Sequence, residues 1–108
     1  MPVPKDIETE IYFLTNEEGG RSTPVYTGYR PQFYYNNHDW DASHIYPDVD
    51  VANPGDTVRA YLGFLSPKEH LGKVDVGMEF LIREGDRTVA KGIVTKIIEL
   101  EQSAKHAK

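Results

Sequence analysis

Apolar side chains recur at every second residue in well-separated stretches, and that period limits the fold more than any other feature. Ile7, Thr9, Ile11 and Phe13 alternate with Glu8, Glu10 and Tyr12. Val58, Ala60, Leu62 and Phe64 alternate with Arg59, Tyr61 and Gly63, and Met78, Phe80 and Ile82 with Glu79, Leu81 and Arg83. Successive side chains of a strand point to opposite faces, so each stretch describes a strand with one face on a core. A further stretch, Thr88 to Leu100, is rich in Val, Ile and Thr and changes phase near Ile93-Val94 and Ile97-Ile98. That pattern predicts a strand with a bulge, or one covered on both faces.

The residues between these stretches suit turns. Glu18-Gly19-Gly20-Arg21 supplies two glycines that take positive φ without steric cost. Asn53-Pro54-Gly55-Asp56 places Pro then Gly at the central positions of a type II turn, and Gly85-Asp86 between two alternating runs is a hairpin signal. Pro31, within Tyr29 to Tyr35, has no N–H to donate, which makes that segment an edge strand or a strand start. Pro67 to Gly77 reads as a loop, Asn36 to Asp50 as a solvated acidic loop, and no stretch shows a capped helical stripe. The expected organisation is an extension over residues 1–6, an all-β domain over 7–100 and a polar, frayed tail over 101–108. About six strands at this spacing make a small antiparallel barrel or sandwich.

Several function classes are excluded. A chain of 108 residues is expected to form one domain with one modest core. It has no cysteine, hence no disulfide, thiolate metal site or cysteine nucleophile. No apolar run is long enough to span a bilayer, and the start of the chain lacks a secretion signal, so no membrane is expected and a cytoplasmic location is the default. The net charge of −5 repels a polyanion at long range, so nucleic-acid binding would need a local basic patch. Ser22, Ser43 and Ser66 sit in no nucleophile-elbow context, and no phosphate loop ending in Gly-Lys-Ser/Thr is present, so neither catalysis nor a cofactor is expected.

Three segments go beyond generic strand patterning: Ile11 to Pro24 with its Glu18-Gly19-Gly20-Arg21 turn, Gly28-Tyr29-Arg30-Pro31-Gln32-Phe33-Tyr34, and Phe80 to Val94 with Arg83-Glu84-Gly85-Asp86-Arg87. In order and spacing they resemble the C-terminal domain (domain III) of elongation factor Tu, from about Ile7 to Leu100. The resemblance implies a six-stranded antiparallel Greek-key β-barrel, here as a stand-alone copy without the GTP-hydrolysing domain. It also implies a non-catalytic module that binds aminoacyl-tRNA or proteins of the translation apparatus. The positions it marks for RNA or partner binding are Gly20, Arg21, Arg30, Gln32, Arg83, Glu84, Gly85 and Arg87. Arg21 would pair with a phosphate, and Gln32 and the Gly85 backbone would meet ribose and phosphate of A-form RNA.

Other positions depart from that family's pattern. Ser22 stands where a His is usual, Asp41 where a contacting Thr is usual, and Ser66 where a Lys or His is usual. Each lost cation or added carboxylate weakens a phosphate contact. The bland alternative is that the glycines serve only the turns, and that Arg21, Arg83, Glu84 and Arg87 pair with one another across the barrel end. Two further readings remain. Tyr34, Tyr35 and Trp40, if exposed together, would form a protein interface next to the altered 36–50 loop, outside translation altogether. His38, Asp41 and His44 carry ligand types for a divalent metal, but at a spacing that matches no established zinc pattern, so no metal site is expected.

Overall fold

The computed structural model describes residues 4–106. The alternating stretches become β1 (Ile7–Phe13), β6 (Thr57–Phe64) and β7 (Glu79–Glu84). The aromatic segment is β3 (Gln32–Tyr35), and the last long strand is β8 (Arg87–Ile97). With β4 (His38–Ile45) they close into a barrel of order β1-β6-β4-β3-β7-β8, every adjacent pair antiparallel. Strands β3, β4 and β6 form a meander and β1 lies beside β6, which is the Greek-key arrangement. Closure leaves no free sheet edge in the barrel. A separate short ladder joins β2 (Val25–Tyr26) to β5 (Val51–Ala52).

The phase changes in β8 have local causes. Glu8 pairs with Lys96 and Thr9 with Val94, which leaves Thr95 as an extra residue against β1. Ile82 pairs with Ala90 and Arg83 with Thr88, which leaves Val89 as an extra residue against β7. Each extra residue shifts the alternation by one and bends the strand, as barrel closure requires. Pro31 lies immediately before β3, so it marks a strand start and not an edge.

The core centres on Phe33. Its ring stacks on Phe80 at 4.4 Å between centroids and meets Phe64 edge-on at 5.0 Å. Ile7, Ile11, Leu62, Ile82 and Val94 complete the lining. Gly92 is a packing glycine, because a Cβ there would lie 2.5 Å from the Phe80 ring.

Two sequence expectations fail. The segment read as a solvated acidic loop over Asn36 to Asp50 is mostly β4, entered through Asn36 and Asn37 at φ 49° and 63°. Two successive residues at positive φ match the twist of a tight hairpin, and Asn tolerates that backbone better than most residues. The tail, expected to fray, is helical as α1 (Leu100–His106). Leu100 and Ala104 are buried, and the Ser103 hydroxyl donates to the carboxylate of buried Asp6, which also accepts from Phe64 N–H at 2.8 Å. Glu99 N–H donates to Lys5 C=O at 3.1 Å, so the two ends of the described chain are tied together. Asp6 is therefore a structural part of the barrel, not of a loose extension. Within the stretch read as a loop, Pro67–His70 forms one 3₁₀ turn that carries His70 into the barrel end.

Candidate recognition surface

At one end of the barrel the turn after β1 meets the β7–β8 hairpin. The turn is built locally: Thr15 C=O accepts from Glu18 and Gly20 N–H, and Gly19 takes φ 95°. Gly20 is buried, with its α-carbon face against Leu14, where a Cβ would lie 2.2 Å from the carbonyl oxygen. The hairpin turns at Gly85, φ 63°.

Side chains lock the two pieces together. Arg87 Nε donates to Gly19 C=O at 2.9 Å and its Nη2 to Gly20 C=O. Arg21 pairs with Glu84 through Nη1 and donates to Thr23 Oγ1 at 2.9 Å. The Tyr29 hydroxyl donates to the same Glu84 oxygen, and its ring lies under the Arg21 guanidinium at 5.5 Å. Burial raises the Tyr29 phenol well above its ordinary range, and the neighbouring Glu84 carboxylate adds to that, so Tyr29 stays a donor at every physiological pH. Gln32 Oε1 accepts from Gly85 N–H at 3.0 Å. Arg83 lies 4.5 Å over the Tyr34 ring and 3.6 Å from Asp39.

Of the positions marked from sequence, Gly20, Arg21, Gln32, Arg83, Glu84, Gly85 and Arg87 thus form one corner, and most of their donors are spent inside it. The Gly85 N–H, expected to face a phosphate, is taken by Gln32. Arg21 and Arg83 each have a carboxylate partner, whereas Arg87 is held by neutral carbonyls and keeps its charge uncompensated. Arg30 is exposed and makes no ion pair among the described residues.

The two alternative sites do not assemble. Tyr34 faces outward and half-exposed, while Tyr35 is buried and shares a 2.6 Å hydrogen bond with His70 Nδ1. Trp40 packs edge-on against His70 at 4.9 Å between centroids. Adjacent residues on a strand take opposite faces, so Tyr34, Tyr35 and Trp40 cannot form one flat patch. The same rule parts Asp41, exposed, from His44, buried, and His38 lies at the far end of β4. No group of three or more His, Asp or Glu among the described residues is arranged to hold a metal ion.

The burial of His44, read from sequence only as a ligand type, and of His70, not singled out there, was not foreseen; both are buried with Nε2 lacking a partner among the described residues. Burial lowers their pKa values to about 3 and about 4, with Lys73 adding to the effect on His70. Both remain neutral, one as a partner of the Tyr46 hydroxyl and the other stacked 3.9 Å from the Phe64 ring centroid.

The family model of the elongation factor Tu C-terminal domain matches residues 2–98. The chain belongs to the elongation factor Tu C-terminal domain family. The closed six-stranded barrel is the fold that membership implies. The family places it among translation-factor-like modules, and the match is to this non-catalytic domain alone. Among the described residues no helix is long and apolar enough to cross a membrane.

Proposed function

We propose that this chain is a non-catalytic, cytoplasmic recognition module of the translation apparatus, and that its locked corner makes a weak contact with the backbone of aminoacyl-tRNA. The observation that carries the reading is the pinning of the Gly19–Arg21 turn to the Gly85 hairpin by Arg87. A contact surface fixed in advance loses little entropy on binding. Arg87 in the corner and exposed Arg30, two residues before Gln32, are cations without an ion pair among the described residues, and the net charge of −5 opposes any wider electrostatic attraction. Two phosphate contacts predict an affinity that falls about tenfold between 50 and 200 mM salt.

Fluorescence anisotropy with labelled aminoacyl-tRNA at both salt concentrations tests this. Weak binding with that shallow salt dependence is expected, and Arg30→Glu, which touches no internal hydrogen bond, should weaken it further. A flat signal at low salt and high protein concentration would remove the RNA contact. The same preparation should leave GTP unhydrolysed.

A further inference from the structure

On the outside of the barrel, beside the corner, four strands present a continuous face. The registers place Tyr12, Lys91, Leu81 and Tyr34 side by side across β1, β8, β7 and β3. The next outward row is Glu10, Ile93 and Glu79, directly paired across β1, β8 and β7. Together with Met78 these residues line an open depression of about 720 Å³. Ile93 is 39% exposed at its centre. Tyr12, Tyr34 and Leu81, all part-buried, surround it and give the depression an apolar floor.

Its electrostatics are one-sided. Glu10 and Glu79 make no ion pair among the described residues. Arg59, the cross-strand neighbour of Glu10 on β6, turns instead to Asp48 and Glu8. Lys91 lies between Tyr12 and Leu81 and makes no ion pair among the described residues, and Arg83 sits over the Tyr34 ring at the edge of the face. Glu10 and Glu79 flank Ile93 on both sides, two carboxylates against the single lysine of the depression.

We propose that this face docks an amphipathic helix of a protein partner, with its apolar stripe on Tyr12, Leu81, Ile93 and Tyr34 and its lysine or arginine flank on Glu10 and Glu79. Neighbouring strands lie about 4.8 Å apart, so the face is roughly 14 Å wide. That width matches about ten residues of helix, which presents apolar anchors at i, i+3, i+4 and i+7. An RNA occupant is disfavoured, because carboxylates outnumber the lysine in this depression. The surface adjoins the corner through Arg83 over Tyr34 and Glu18 beside Tyr12, but its Glu10, Glu79 and Ile93 centre is separate and the proposal does not rest on RNA binding there.

The test uses the whole chain and a labelled amphipathic peptide of about three to four turns with a leucine stripe and lysine flanks. A second peptide has the same stripe and glutamate flanks. Saturable binding of the lysine peptide alone is expected, with amide shifts in NMR confined to residues around Leu81, Lys91 and Ile93. The double variant Glu10→Lys/Glu79→Lys should weaken it at least tenfold and favour the glutamate peptide. Glu69→Lys/Glu101→Lys, an equal charge change elsewhere, should leave it within twofold, as should Arg30→Glu. Equal binding of both peptides, equal loss in both double variants, or shifts centred on another face would overturn the proposal. So would binding of labelled RNA at this face. The shift map on the unaltered chain decides the matter even where a variant folds poorly.

Discussion

Individual residues here are chosen for space as much as for backbone freedom. The Gly19-Gly20 pair reads in the sequence as two positive-φ positions, yet only Gly19 takes one. Gly20 is a glycine because Leu14 leaves no room for a Cβ. Gly20→Ala should therefore destabilise the fold by about 2–3 kcal/mol, whereas a surface substitution nearby should change it by less than about 0.5. Urea titration with an unchanged m-value checks this, and a neutral result would mean the turn relaxes freely. The buried histidines act at the same scale through pH. Their folded pKa values, about 3 for His44 and about 4 for His70, lie below the ordinary 6.5. Between those limits the unfolded chain binds the extra protons, so stability is complete above the unfolded value and falls as pH drops below it. Each histidine contributes a slope of up to about 1.4 kcal/mol per pH unit. Asp6, whose pKa burial raises above 3.8, has the opposite sign near the acid end and offsets part of the loss there. Urea midpoints should fall steadily from pH 7 to pH 5. His70→Gln should flatten that fall, and a flat profile in the unaltered chain would show that the histidines are not protected.

Elements that contain their own pattern behave differently from those that borrow stability from a neighbour. The helix α1 is the borrowed kind: a helix of 7 residues is unstable by itself, and only Leu100 and Ala104 anchor it. Its hold is the Ser103 bond to buried Asp6. Ser103→Ala should cost about 1–2 kcal/mol, because it leaves a buried carboxylate short of a donor, and should speed amide exchange in α1 selectively. Unchanged exchange there would mean that Leu100 and Ala104 hold the helix alone. This dependence is why the helix was not legible: two apolar residues four apart give no stripe to read. Strands β1, β6 and β7 were legible because each carries its own alternation. The inward row of β4 is His38, Trp40, Ala42 and His44, too polar to be read as a core face. Its turn was written as Asn36-Asn37, without the glycine that marks the commonest hairpins. In the candidate site, the corner residues were legible as a cluster. Pairing among them was the bland alternative and holds for Arg21 with Glu84, but the approach of Arg87 to the Gly19 carbonyl across 68 positions was not legible.

At the scale of the whole molecule, the barrel closes by pairing its first strand with its last. Ile7 lies opposite Ile97, and Pro4 and His106 line one depression. Long-range ladders of this kind are slow to form, because loop closure must precede any gain from pairing. A circular permutant isolates that effect. Joining the ends through a flexible linker of about eight residues, and opening the exposed Gly72-Lys73 turn, keeps every ladder of the barrel. It brings β1 and β8 from opposite ends of the chain to either side of one connection made of α1, the linker and the segment before β1, while β6 and β7 become the separated ends. These two are not neighbours in the barrel, so no ladder is lengthened to the full span. Equilibrium stability should change by less than about 2 kcal/mol, since the folded contacts are the same. Refolding measured by stopped-flow fluorescence of Trp40 should be faster, because the closing pair now spans a much shorter separation. A permutant that folds to the same barrel but no faster would show that the β3–β4–β6 meander, not β1–β8 closure, limits the rate.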